Sequence, residues 1–405
     1  MVRKMADFEL KIGLIRLAAG ALALICPWLL VTGSPRAGNM PSPAGLSVEL
    51  LTSPGKTVIR DLEPEFGWEV RSLDENVLQT GYRIQVKEPG GLYSAAVPPY
   101  DILWGDPGSV NVVYRGPALE PGRHYAWRVK VWDNLGNVSA WSDFQEFRIA
   151  GDAGAYRTSS YSLETRLVKA VRFRKSDRGY FYDFGKAAFG TVQVLLPPLA
   201  RSLELEIRLG EKLADGEHLD RNPPGSIRYR EFTLKAGPGT RMAEAAIPPD
   251  PRNTRPGAVA MPDCIGEVLP FRYCEIAAPG IELGPESVTM KAVNYPFNDQ
   301  AADFISSSKE LNAVWDLCKY TIKATSFTGI YVDGDRERIA YEADAYINQL
   351  GHYLTDREYS MARVSHEYLI RNPTWPTEWI LHSVLMAWED YLYTGNLESA
   401  EHYYQ

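Results

Sequence analysis

The hydrophobic periodicity of the chain changes near residue 301, and this change constrains the fold more than any other feature. Before it, apolar and polar residues alternate in short runs, the two-residue period of half-buried strands. After it, "DFISSSKELNAVWDLCKYTIKAT" follows a helical period, and one stripe collects its apolar side chains: Phe304, Leu311, Val314, Trp315, Cys318 and Ile322. The pattern predicts all-β structure followed by an all-α region.

Residues 46–150 read as an antiparallel β-sandwich with a clear hairpin. "YAWRVKVWD" places Tyr125, Trp127, Val129 and Val131 on one face, "NLGN" turns the chain, and "SAWSDFQEFRI" returns it. The segment concentrates no His, Cys or paired acids. A structural or spacing role is therefore favoured over carbohydrate contact by exposed Trp side chains.

Residues 155–300 continue in strands and predict a second β-sandwich domain. The alternation is clear in "LELEIRLGEKL", and Pro- and Gly-rich turns such as "RNPPGS" and "DPRNTRPG" separate the runs. Two roles remain open for this domain. It either binds sugar or packs against the region that follows.

Residues 301–405 predict the first helical hairpins of a larger helical array. Helices are expected over 339–355, 357–371 and 377–393, bounded by "TD", "RNPTWP" and "TGN". Several antiparallel helices in such a short stretch favour a helical barrel. The pattern predicts that a barrel begun this way is not finished by residue 405.

The N-terminal 40 residues predict a signal peptide. Arg3, Lys4, Lys11 and Arg16 precede the uncharged run "LAAGALALICPWLLVTG", which contains Pro27 and is short for a bilayer span of about 20 residues. Cleavage and export to the periplasm or the exterior are therefore expected, without stable membrane insertion. An uncleaved N-terminal anchor is the alternative.

Charge and cysteine usage exclude several classes of partner. The net charge is -8 and no basic run occurs, so nucleic acid is not expected as a partner. Cys264 and Cys274 either form a disulfide or stay unpaired. The scattered His residues form no HExxH-like pair and the cysteines no CxxC pair, so we expect neither a metal nor another cofactor. The sequence gives no indication of oligomeric state.

An acidic cluster stands at the start of the helical region, in "YVDGDRERIAYEADAYINQ". If the helix extends back to Glu337, then Glu337 and Asp344 share a face about 10 Å apart, with Asp333 in the loop below. Gathered carboxylates repel, which raises the pKa of the most desolvated one and suits it to donate a proton. The alternative is a solvated helix start, with Arg338 and Glu342 as a surface pair.

"QTGYRIQV" with "YAWRVKVWDNLGNVSAWS", the second β domain and "DGDRERIAYEADAYINQ" together resemble bacterial alpha-L-rhamnosidases of glycoside hydrolase family 78. The resemblance implies a fibronectin type III-like domain, a carbohydrate-binding-like sandwich and an (α/α)6 six-hairpin barrel. It also implies inverting hydrolysis of a terminal alpha-L-rhamnosyl bond or a related one, on a rhamnose-containing glycan or glycoside. The rival interpretation is a secreted carbohydrate-binding β-sandwich protein without catalysis.

The resemblance also implies roles for individual residues. Laid on "DRERIAYEADA", the family's acid motif puts the general acid on Glu337, and it implies sugar contacts for further residues: Asp333, Asp344, Arg338, Trp375 and Glu378. The sequence departs from the common motif at Asp335-Arg336 and at Ala340-Tyr341-Glu342, which affects substrate preference. The family's general base lies much later in the barrel, so we expect it beyond residue 405.

Overall fold

The computed structural model describes residues 40–72, 74–89 and 100–404 of the chain. The predicted signal segment, residues 1–40, lies outside this range except for Met40. Within the described part, every helix is too short or too polar to cross a bilayer.

A seven-stranded antiparallel sandwich comes first. Its strands are β1 (Ala44–Val48), β2 (Glu65–Glu69), β3 (Gln79–Lys87), β4 (Tyr100–Trp104), β5 (Val112–Val113), β6 (His124–Asp133) and β7 (Gln145–Arg148). One sheet has the order β1-β2-β5 and the other β4-β3-β6-β7. The predicted hairpin is confirmed, because β6 pairs with β7 and Trp127, Val129 and Val131 are fully buried. Trp127 stacks on Phe66 of the facing sheet at 4.4 Å between ring centroids.

A large antiparallel sheet follows. Its strands are β8 (Glu164–Lys169), β9 (Arg172–Ser176), β10 (Gly179–Leu195), β11 (Leu203–Gly210), β12 (Tyr229–Ala236), β13 (Met242–Glu244), β14 (Leu269–Ala277) and β15 (Val288–Asn294). The main path is β12-β11-β14-β10-β15-β8, and β9 and β13 also pair with the long strand β10. Leu205, Ile207 and Leu209 of β11 are fully buried, as their alternation predicts.

The helices begin with a single turn, α1 (Pro251–Thr254), between β13 and β14, and the others follow β15. They are α2 (Lys309–Thr325), α3 (Glu342–Thr355), α4 (Ser360–Arg371), α5 (Thr377–Ile380), α6 (His382–Thr394) and α7 (Glu398–Tyr403). Ser308 caps α2 by accepting a hydrogen bond from the Leu311 N–H. The predicted helix over 377–393 is two helices, α5 and α6.

A buried core joins the second β region to the helices. Phe189 of β10 and Phe327, just after α2, stack face to face at 3.6 Å between centroids. The hydroxyl of Tyr295, after β15, forms a 2.7 Å hydrogen bond with the hydroxyl of Ser360 in α4. Both contacts are buried, so the first fixes the loop after α2 and the second fixes the start of α4 against the second β region.

The helices also expose apolar side chains. Leu311, Val314 and Leu317 of α2 are more than half exposed, so the stripe predicted for this helix is not packed within the described part. Ile347 of α3 and Val384 of α6 are exposed in the same way. The open question on cysteine is answered for the described residues, where Cys264 is exposed and unpaired and Cys274 is buried and unpaired.

Candidate active site

The acidic segment forms a closed loop before α3 rather than the first turns of that helix. The Asp333 N–H donates to the Ile339 carbonyl at 2.9 Å, and the Ile339 N–H donates back to Oδ1 of Asp333 at 3.3 Å. Gly334 turns the chain with a φ of 95°. The prediction that the helix starts near Ile339 is therefore wrong by one turn, since α3 begins at Glu342.

Asp335 anchors this loop to the second β region through two buried arginines. Arg228, which precedes β12, binds the Asp335 carboxylate through Nε and its carbonyl through Nη2. Arg338 Nη2 donates to Oδ1 of Asp335 at 3.1 Å and to Glu267 at 2.6 Å. Asn253 of α1 donates to the same Asp335 oxygen at 3.0 Å. The network fixes the loop from both sides.

The position of Arg338 differs from the one that its predicted role requires. Sugar contact was predicted for it, but its side chain has no exposed surface and its guanidinium points into the network with Asp335. Its φ of 55° lies in the left-handed region, which is unfavourable for a bulky residue. The ion pairs of its side chain hold the backbone in this conformation. Arg338 therefore supports the loop from beneath instead of facing a ligand.

Glu337 lies on the outer side of the loop, within reach of solvent. Its side chain is 28% exposed, and Arg255 Nη2 from the β region lies 2.9 Å from Oε1. The Tyr341 hydroxyl donates to Oε2 at 2.5 Å. The carboxylate thus receives hydrogen bonds from two sides and keeps an open face.

These contacts give Glu337 the opposite electrostatics from those the acidic cluster predicts. The Tyr341 hydroxyl and then the Arg255 guanidinium hold the pKa of Glu337 below its usual value. Burial instead raises the pKa of Asp333 and Asp344. The expectation that neighbouring carboxylates raise the pKa of the acid is therefore wrong for Glu337 in this conformation.

Arg336 brings three of the predicted acids into one group. Its Nε lies 3.2 Å from Asp333 and its Nη2 lies 3.7 Å from Glu337. Burial raises the pKa of Asp344, and the positive charge of Arg336 offsets part of this rise. Since its side chain is 65% exposed, Arg336 covers the group from the solvent side.

A buried glutamate positions the aromatic side chains beside this group. Glu342 is fully buried and accepts hydrogen bonds from the Thr374 N–H at 2.9 Å and from its hydroxyl. The next residue, Trp375, is 86% exposed, and its ring centroid lies 6.5 Å from that of Trp379. Tyr341 packs edge-on against Trp379 at 5.5 Å, so the partner of Glu337 also contacts the aromatic pair.

The remaining predicted residue, Glu378, is exposed on α5, and no hydrogen bond or ion pair of the described residues joins it to Glu337. A cleft of about 830 Å³ opens between β10, β14, α2 and the acidic loop. Asp333, Asp335 and Arg336 line it, whereas Glu337 is not among its lining residues. Of the predicted residues, Asp333 thus lines this cleft and Trp375 belongs to the aromatic pair.

Sequence reasoning missed Arg228 and Arg255, which come from the β region and hold Asp335 and Glu337. Both lie in turn-rich stretches, "SIRYREF" and "PRNTRPG", where an arginine is ordinarily a surface residue. Within the loop itself, the sequence shows two acidic residues, Asp335 and Glu337, next to arginines. Partners that approach from about a hundred residues away leave no periodic signal.

Comparison with known proteins agrees with this architecture. Residues 43–151 match the Rha78A-like, N-terminal immunoglobulin domain, and residues 299–405 match the bacterial alpha-L-rhamnosidase 6 hairpin glycosidase domain. An alpha-L-rhamnosidase of Streptomyces avermitilis is 35% identical over 85 residues, which are 20% of this chain and 8% of that protein. The predicted β-sandwich at the start of the chain is therefore matched by an immunoglobulin-type domain.

Two solved structures share the fold. The alpha-L-rhamnosidase of Dictyoglumus thermophilum superposes with a TM-score of 0.68 at 14% identity, covering 91% of this chain and 63% of that one. The enzyme of Aspergillus terreus gives 0.57 at 12% identity, covering 87% and 64%. The chain thus spans less than two thirds of the length of both.

The fold and the site together match the class of six-hairpin glycosidase domains, with β domains ahead of the helices. The two matched domains, in the order found here, narrow this class further. The chain carries two domains that match those of bacterial alpha-L-rhamnosidases, and the resemblance to an N-terminal portion of glycoside hydrolase family 78 that was drawn from its sequence is confirmed.

Proposed function

We propose that this site serves the inverting hydrolysis of a terminal alpha-L-rhamnosyl bond, or a related one, with Glu337 as the general acid. One observation carries the proposal. Glu337 is a partly exposed carboxylate fixed between Arg255 of the β region and Tyr341, inside the segment that matches the six-hairpin glycosidase domain. A general acid needs this combination of fixed position and open face.

In the proposed reaction Glu337 protonates the glycosidic oxygen as the bond to the sugar breaks. Its pKa is low in the free protein, so the bound sugar must raise it. A sugar that covers the open face removes water from the carboxylate, and desolvation raises the pKa of an acid. A second carboxylate about 6.5–9.5 Å away activates water in inverting enzymes, and we place this base outside the residues assigned above.

The other predicted residues receive binding roles. Asp333 and Asp344 offer acceptor oxygens to sugar hydroxyl groups. Arg336 lies among these acids, and its positive charge stabilises their ionised forms. The exposed Trp375 ring offers an apolar face on which a sugar ring stacks. Glu378, exposed on the next helix, is assigned to the outer part of the same surface.

The test is release of rhamnose from an aryl alpha-L-rhamnoside by the wild-type protein and by Glu337→Gln. The variant keeps the shape of the side chain and removes the proton that it donates, so turnover should fall by about 100-fold or more. The matched control is Glu401→Gln, an exposed glutamate on α7, which should keep wild-type turnover. Full turnover by Glu337→Gln would exclude this residue as the acid.

The same assay tests the non-catalytic alternative. If the wild-type protein binds rhamnose, as followed by tryptophan fluorescence, but releases none from the glycoside, the carbohydrate-binding interpretation is favoured. Proton NMR of the first-formed anomer distinguishes inversion from retention where release occurs.

Export and barrel completion form part of the proposal. The charged start and uncharged run in residues 1–40 support export with cleavage, which N-terminal sequencing of the mature protein tests. The exposed apolar side chains of α2, α3 and α6 support packing against further helices of a six-hairpin barrel. Binding of the dye ANS by the 405-residue chain would support that packing, and its absence would count against it.

A further inference from the structure

Four carboxylates meet where the first sandwich contacts the helical region, away from the proposed active site. They belong to Glu49 in the β1–β2 turn, Asp61 in the loop that follows, Glu65 of β2 and Glu398 of α7. One oxygen from each lies within 4.8 Å of one oxygen from each of the others. We infer that these four carboxylates form a binding site for a single calcium ion that joins the sandwich to the helices.

One buried oxygen in the cluster has no hydrogen-bond donor. Glu65 is only 5% exposed, and among the described residues no N–H or O–H group reaches its Oε2. A buried carboxylate oxygen without a partner costs free energy that a bound cation would recover. This oxygen points to a missing ligand and not only to an acidic surface.

No arginine forms an ion pair with the cluster among the described residues. Arg60, Arg157 and Arg363 line the cavity of about 200 Å³ beside it, but Arg60 pairs with Asp152 and Arg363 pairs with Asp390. No ion pair of the described residues includes any of the four acids.

Backbone contacts position the ligands. Glu49 and Leu50 both have positive φ values and form the centre of a tight turn closed between Val48 and Leu51. Glu49 Oε1 accepts the Glu65 N–H at 2.9 Å, and Asp61 Oδ1 accepts the Glu63 N–H at 2.8 Å. Two of the carboxylates are therefore oriented while each keeps its other oxygen for an ion.

The spacing and chemistry favour calcium over the other common cations. Calcium binds oxygen at about 2.3–2.6 Å, so opposite ligands stand about 4.8 Å apart, whereas magnesium requires about 2.0–2.1 Å. The ligands are all oxygen, which excludes the sulfur and nitrogen sites that zinc prefers. Three of the ligands lie irregularly spaced within residues 49–65 and the fourth is Glu398, so the set matches no metal-binding sequence motif. This inference revises the expectation that no metal binds.

The test is calcium titration of the chelator-treated 405-residue protein by calorimetry, with thermal unfolding measured in EDTA and in calcium. We expect one ion per chain, a higher Tm in calcium, and binding at least 10-fold weaker for magnesium. Glu398→Gln should weaken calcium binding at least 10-fold and abolish the gain in Tm. Glu63→Gln, an exposed acid between two of the ligands, is the matched control and should bind calcium as the wild type does.

The Tm in EDTA shows whether the substitution changes the stability of the metal-free protein, independently of calcium binding. Glu398→Gln removes one negative charge from a repulsive cluster, so without metal its Tm should equal or exceed that of the wild type. Absence of calcium binding by the wild type would overturn the inference. Wild-type affinity in Glu398→Gln would overturn the assignment of the ligands. Rhamnoside hydrolysis plays no part in either result.

Discussion

The hydroxyl of Tyr341 donates a 2.5 Å hydrogen bond to Oε2 of Glu337, and the same tyrosine ring packs edge-on against Trp379. The proposed acid is thereby coupled to the aromatic pair that we assign to sugar binding. A sugar that moves the aromatic side chains would also alter the hydrogen bond that keeps the pKa of Glu337 low. This relationship offers one route by which substrate binding prepares the acid.

Tyr341→Phe tests that coupling. Removing the hydroxyl removes the largest contribution that lowers the pKa of Glu337, so this pKa should rise. A general acid works in its protonated form, and a higher pKa keeps it protonated to higher pH. We therefore expect the alkaline limb of the pH–rate profile for an aryl rhamnoside to move to higher pH.

The control for this prediction is Tyr346→Phe. Tyr346 lies in α3, and its ring centroid is 5.7 Å from that of His382. No hydrogen bond, ion pair or ring contact of the described residues joins it to Glu337. Its variant should leave the alkaline limb unchanged. A profile for Tyr341→Phe that matches the wild type would show that Glu337 does not determine this limb.

The sequence predicts the fold well because the relevant signals are local. Alternation in β6 and β11 and the helical stripe of α2 each lie within one short stretch, so periodicity alone indicates the element. The predicted start of α3 was wrong because Asp333 closes the loop onto Ile339 through backbone and side-chain hydrogen bonds, which leave no periodic pattern in the sequence. The prediction of a raised pKa for Glu337 was wrong because Arg255, which pairs with it, is distant in sequence.

Asp335→Asn should destabilise the protein without touching the exposed face of Glu337. The substitution leaves the buried guanidinium groups of Arg228 and Arg338 without their shared carboxylate. Breaking a buried ion pair by removing one partner costs about 3–5 kcal/mol. Urea unfolding of the variant and the wild type measures this loss as a lower midpoint.

Asp316→Asn is the matched comparison, because this aspartate is exposed on α2. It should change the free energy of unfolding by less than about 0.5 kcal/mol. If the two variants unfold at the same urea concentration, the network around Asp335 does not anchor the loop.

Gly190→Ala should disrupt the centre of the second β region. Gly190 lies in β10 between β14 and β15, and a Cβ atom there would stand 2.2 Å from the Lys291 carbonyl oxygen. The strands must separate to admit it, and such overpacking costs about 1–3 kcal/mol. Gly151→Ala, where a Cβ meets no atom within 4 Å, should leave the Tm unchanged. Equal Tm values for both variants would contradict the close approach of β15.

Trp375→Ala should weaken rhamnose binding while leaving stability intact. The ring is 86% exposed, so its removal costs little packing, but a sugar loses the face on which it stacks. Loss of about 0.5–1.5 kcal/mol of contact corresponds to a roughly 2- to 13-fold weaker Kd. Trp388→Ala on α6, where the ring is 53% exposed, serves as the control because it also removes an exposed tryptophan. Calorimetric titration with rhamnose should distinguish the two variants, and equal weakening by both would place the stacking surface away from Trp375.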